Sequence, residues 1–80
     1  MSAETITNRE RVFIMSKSPY RYYIMGFLAC MRERETSLQE EFDKAMSQPF
    51  QEEHHEAYRE SRKFLTEHAE VLGVKLSQEE

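Results

Sequence analysis

The spacing of apolar residues constrains the fold of this chain more than any other feature. Ile24, Phe27, Leu28, Met31, Leu38, Phe42, Ala45 and Met46 recur at intervals of three, four or seven, which places them on one side of an α-helix. Downstream, Phe50, Ala57, Tyr58, Phe64, Leu65, Val71 and Leu72 repeat the pattern. Two glycines and two prolines leave few turn formers for a β fold. The chain therefore reads as all-α.

Punctuation residues divide these stripes. Ser47-Gln48-Pro49 is a stop and a start, because proline disfavours a continuing helix but is tolerated in the first turn of a new one. A helix is expected from about Pro49 to Leu72, capped by Ser47, with Glu52 and Glu53 near the positive end of its dipole. Gly73 should end it in the left-handed conformation, with Val74 as the apolar residue that often follows such a cap. Upstream, Ser18-Pro19 is a second start, with Ser18 as cap and Pro19 as first helical residue. Ser37 with Glu40 matches a capping box and could begin a separate helix. Because the stripe keeps its phase across Glu35-Thr36-Ser37, one continuous helix of about 28 residues is expected, roughly 40 Å at 1.5 Å per residue.

The N-terminal part carries another capping box, Thr7 with Glu10, before the unbroken apolar run Val12 to Met15. Periodicity cannot assign that run, and a short helix is expected, covering the segment Tyr20 to Met31, which is apolar around most of its circumference. The whole forms one small domain over residues 1–80, with 1–7 and 77–80 expected to be flexible. A chain this short buries only about 60% of its unfolded surface. The expected architecture is an antiparallel helical hairpin with a short N-terminal element, completed to a four-helix bundle by dimerisation. Ile24, Leu28, Met31, Leu38, Phe42, Phe64 and Leu65 would fill its core or dimer seam.

Several function classes are set aside on composition. Cys30 is the single cysteine, so there is no intrachain disulfide and no paired-cysteine zinc site; among Phe27, Leu28, Ala29 and Met31 it reads as a small hydrophobe. The polar start Ser2 to Arg11 leads into four apolar residues where an export segment needs about 7 to 15, so a cytoplasmic location is expected. Tyr20 to Met31 is interrupted by Arg21 and Gly26 and falls short of the ~20 residues that span a bilayer, so no membrane is expected. His54 and His55 are adjacent and point apart on a helix, so no metal site is expected. His54, Ser61 and His68 share a face at heptad spacing and read as polar positions in a packing seam. There is no glycine-rich phosphate loop, nucleophile elbow or supported Cys/His pair, so neither catalysis nor a cofactor is expected.

Charge and aromatics carry the remaining signal. Residues 1–34 hold six Lys and Arg against three acids, and residues 35–80 hold five against twelve, for a net −4. Arg9, Arg11, Lys17, Arg32 and Arg34, with tyrosines between them, form a candidate basic surface for nucleic acid, although an isoelectric point near 5.4 weighs against it. The acids Glu35, Glu40, Glu41, Asp43, Glu52, Glu53 and Glu56 could imitate phosphates, or simply form a solvated face. Tyr20, Arg21, Tyr22, Tyr23 and Phe27 surround about two turns of helix with side chains that dominate interface hot spots. The expected function is a small cytoplasmic, non-enzymatic protein–protein interaction module, an adaptor or inhibitor that occupies a larger protein's surface, and is itself a homodimer. The alternatives are a nucleic-acid-binding helical dimer using the basic N-terminal half, and an acidic nucleic-acid mimic that blocks a DNA- or RNA-handling protein.

Overall fold

In the computed structural model, which describes residues 5–49 and 51–78, the chain runs through five α-helices and contains no strand among the described residues. They are α1 (Asn8–Lys17), α2 (Arg21–Arg34), α3 (Leu38–Met46), α4 (His55–Glu67) and the single turn α5 (Ala69–Leu72), with a 3-10 turn, Glu52–His54, leading into α4. Helix α2 is the hub and packs against α1, α3 and α4. The all-α expectation holds; the two long rods do not form.

The first correction lies at Glu35, where the continuous helix was expected. Glu35 takes the left-handed conformation with φ of 57°, and its backbone N–H donates to the Met31 carbonyl. Ser37 then caps a new helix: its Oγ accepts from the Glu40 N–H, and the Glu40 carboxylate accepts from the Ser37 N–H. The next two N–H groups, of Leu38 and Gln39, donate to the carbonyls of Lys75 and Leu76 at 2.8 and 3.1 Å. Donors with no partner inside their own helix are thus satisfied by the far end of the chain. The stripe keeps its phase because α3 turns back onto the same core that α2 faces, with Leu38 and Phe42 buried alongside Ile24, Phe27, Leu28 and Met31. A left-handed glutamate is strained where glycine is not. Glu35→Gly is expected to raise the unfolding free energy by about 0.5–1 kcal/mol in urea melts, and a loss of stability would show that the Glu35 side chain holds the turn.

The second long helix is also divided. Ser47 closes α3 instead of capping the next helix, and its hydroxyl donates to the Lys44 carbonyl. Helix α4 begins only at His55, and the chain departs from helical geometry at His68 before α5. His68 is wedged against Phe64 and Phe13, with ring centroids 4.4 and 5.2 Å away. Gly73, with φ of 66°, ends α5 as the sequence indicates, and the Val74 N–H reaches back to the Ala69 carbonyl at 2.8 Å. Phe50, placed in the stripe, lies outside the described residues. Val71, placed there too, is exposed, whereas Ala57, Phe64, Leu65 and Leu72 are buried.

The start of the chain is helical where the apolar run was ambiguous. Thr7 and Glu10 form the capping box of α1. Only Ile14 of that run is buried; Phe13 is half-buried, and Val12 and Met15 face outward, which is why its pattern resisted assignment. At α2 the Ser18 hydroxyl accepts from the Tyr20 N–H, but the helix proper begins at Arg21, two residues after Pro19. Of the ends expected to be flexible, residues 1–4 and 79–80 lie outside the described residues, and the remainder makes some contacts with the body. Ile6 is buried, Arg32 donates to the Thr5 carbonyl, and the Gln78 amide donates to Glu40 at 2.6 Å. The Glu40 carboxyl is correspondingly lowered, first by that hydrogen bond and then by the Ser37 N–H.

The extents are 34 × 29 × 28 Å and the radius of gyration is 12.2 Å, close to the ~11.6 Å that a compact 80-residue chain should have. Ile14, Ile24, Leu28, Leu38 and Leu65 are fully buried within this one chain. The side of each stripe that a lone hairpin would leave wet is thus covered by α1, α3 and the C-terminal segment. Ser61 sits in the same core and satisfies its hydroxyl on the Ala57 carbonyl at 2.7 Å. His54, Ser61 and His68, on their heptad face, each pack against residues of the same chain. No described helix is long and apolar enough to cross a membrane.

Candidate groove between α2 and α3

Two helical rows face each other across a trough. On α2, Tyr22, Gly26, Cys30 and Arg34 recur every four residues, on the side turned away from Ile24, Leu28 and Met31. Glu41, Lys44 and Ala45 of α3, with Gln48 just beyond its end, form the opposite row. Tyr23, Phe27 and Tyr58 complete the wall, around a volume of about 460 Å³. Its lining is largely apolar, with Arg34, Glu41 and Lys44 as the charged members.

An aromatic cluster fixes that wall. The Tyr58 ring of α4 meets Tyr23 and Phe27 edge-on, each at a centroid distance of 5.7 Å, a geometry that adds to plain burial. The Tyr23 hydroxyl and His54 Nδ1 share a hydrogen bond of 2.7 Å, tying α2 to the turn before α4. Tyr20 packs on Tyr23 at 6.5 Å but does not line the trough. Tyr22 is the exception among these aromatics: it is 69% exposed, and the Arg21 guanidinium lies over its ring at 5.1 Å. Arg21 Nε is buried there with no hydrogen-bond partner among the described residues.

Of the five residues singled out for partner binding, Tyr22, Tyr23 and Phe27 thus line one groove, Arg21 braces Tyr22, and Tyr20 supports from behind. Phe27 is itself buried and contributes a floor more than a contact. Gly26, Cys30, Lys44, Ala45 and Gln48 were not singled out for a site. The four-residue recurrence Tyr22-Gly26-Cys30-Arg34 was the available signal on α2; nothing local placed α3 beside it.

The candidate basic surface is divided by the fold. Arg9, Arg11 and Lys17 are exposed on α1. Arg34 lies on the groove edge, 3.7 Å from Glu41. Arg32 is turned inward, where both of its Nη atoms bond the Glu10 carboxylate at 2.7 and 2.8 Å, and each also donates to a backbone carbonyl, of Thr5 and of Leu72. The Arg32 hydrogen bonds hold the Glu10 carboxyl far below the usual range, at about 2. Arg32 is a structural clasp and leaves the basic surface.

The acidic stretch is similarly split, since Glu41 is buried and accepts from the Thr36 hydroxyl at 2.6 Å. His54 also lies 3.7 Å from Glu53, and no group of three or more His, Cys, Asp or Glu among the described residues is placed to hold a metal ion. No protein-family model matches the chain, and neither a curated protein nor a solved structure matches it.

Proposed function

We propose that this chain is a non-enzymatic binding module that acts by occupying a partner protein's surface through the groove edged by Tyr22. The observation that carries the reading is the exposure of Tyr22, stacked by Arg21, beside an apolar trough that the described residues leave uncovered. Tyrosine and arginine in an apolar setting are the side chains that most often anchor protein interfaces. Two of the titratable groups at the groove have structural duties: Tyr23 bonds His54, and Glu41 bonds Thr36 beside Arg34. A reducing cytoplasm suits a chain with one unpaired, half-buried thiol. Arg32's commitment to Glu10 and the burial of Glu41 weaken the nucleic-acid and mimic readings, because each loses a charge it relied on.

The test is capture from host lysate at about 0.15 and 0.5 M salt, with nuclease, using wild type beside Tyr22→Ala. An exposed side chain contributes little to folding, so Tyr22→Ala should change the unfolding free energy by less than about 0.5 kcal/mol. It should nevertheless lose a stoichiometric protein that wild type retains at both salts. Recovery of nucleic acid alone, or of a partner released by salt and indifferent to Tyr22, would assign binding to charge and overturn the reading.

A further inference from the structure

The groove contains a residue that the fold itself does not need. Gly26 lies in the interior of α2, where glycine costs about 1 kcal/mol relative to alanine. Its φ is not positive, so no left-handed backbone calls for it. A Cβ built at Gly26 would meet nothing within 4 Å, so none of the described residues occupies the space that its missing side chain leaves. The backbone at Gly26 is therefore bare and open on the groove side of α2.

The shape of that visitor follows from the trough. Gly26 and Cys30 on α2 and Ala45 on α3 are small, so a third helix can lie between the two rows with its axis close to both. From Tyr22 to Arg34 the α2 row rises about 18 Å, which a dozen helical residues would cover.

Its charge follows from the edges. The chain carries a net −4, yet Lys44 is exposed on the groove and forms no ion pair among the described residues. Arg34 is half exposed, and the groove's carboxylate, Glu41, is buried against Thr36 and already faces Arg34. A locally cationic rim on an acidic protein selects an acidic visitor.

Resting on the proposal that this groove binds a protein, we infer that its occupant is an amphipathic helix of another protein. That helix packs an apolar face on Gly26 and Cys30 and sets Asp or Glu against Lys44 and Arg34.

The experiment uses the full chain and a displayed library of helix-forming peptides, about 14 residues long, with a fixed Leu/Ala face and flanks randomised between Glu and Lys. Enriched peptides are measured by fluorescence anisotropy against wild type, Gly26→Leu and Lys44→Glu. The expected winners are Glu-flanked and bind each variant at least about tenfold more weakly, while Gly26→Leu melts no lower than wild type because its side chain enters open space. Enrichment of Lys-flanked or unbiased peptides, or binding that Gly26→Leu leaves unchanged, overturns the inference. A dimer seen in sedimentation and abolished by Gly26→Leu overturns it too, by making a second copy the occupant. In each case Tyr22-dependent capture from lysate still decides the proposed function separately.

Discussion

Leu28→Ala is expected to lower the unfolding free energy by about 2–5 kcal/mol, the range for deleting a large side chain from a closed core. Leu28 is 1% exposed on α2, the helix that touches α1, α3 and α4 together, so a cavity there loosens several interfaces at once. At roughly 0.05–0.15 kcal/mol per residue, a chain of this length has only about 4–12 kcal/mol in total. The variant should therefore unfold at a much lower urea concentration, or lack a folded baseline altogether. Val71→Ala is the matched control, because Val71 belongs to the same kind of apolar stripe in the sequence but is 71% exposed. It should cost less than about 0.5 kcal/mol. Equal losses at the two positions would contradict the placement of α2 at the centre.

Arg32→Ala is expected to cost about 2–3 kcal/mol, because its guanidinium fastens α2 to three other segments at once. It grips Glu10 of α1 with two hydrogen bonds, the Thr5 carbonyl ahead of α1, and the Leu72 carbonyl at the end of α5, all between 2.7 and 2.8 Å. Charge-assisted bidentate pairs are the stronger class of hydrogen bond, and truncating one partner leaves the others unpaired. The same clasp sets a pH dependence. Glu10 titrates at about 2 in the folded chain, down from 4.5, so its contribution is whole above about pH 4.5 and is lost as pH falls toward 2. Arg32 stays charged throughout. The pair is about a quarter exposed, 28% for Arg32 and 23% for Glu10, so solvent screening reduces the formal ~3.4 kcal/mol of that shift to about 2. Glu40 is lowered in the same direction, and wild type alone would therefore mix the two effects. The measurement is the difference between wild type and Glu10→Gln in urea melts at pH 7, 5, 3.5 and 2.5; glutamine still completes the capping box with Thr7. The gap should close by about 1.5 kcal/mol between pH 7 and pH 2.5. Parallel curves would show that the ion pair contributes nothing to folding.

Side chains with local consequences were legible from the residues alone. The capping boxes at Thr7/Glu10 and Ser37/Glu40 and the left-handed Gly73 each involve groups within a few residues of one another, and all three stand in the structure. The core members Ile24, Leu28, Met31, Leu38, Phe42, Phe64 and Leu65 followed from helical spacing and are all buried. Of the groove, helical spacing alone separates Tyr22 and Cys30 from the face that Tyr20, Tyr23 and Phe27 share.

What the tertiary structure decided depends on partners that are distant in sequence. The chain breaks after Arg34 because the N–H groups of Leu38 and Gln39 find the carbonyls of Lys75 and Leu76; an in-phase stripe is equally consistent with a straight helix or with two that face one core. Arg32 reads as a surface cation until Glu10, Thr5 and Leu72 converge on it. The groove exists only because the short turn at Glu35 folds α3 back beside α2, bringing Lys44 and Ala45 across from Gly26 and Cys30. Periodicity sorts residues by the face of their own helix. Which faces meet, and which are left open, is set by hydrogen bonds and burial between helices, and those have no signature within any one of them.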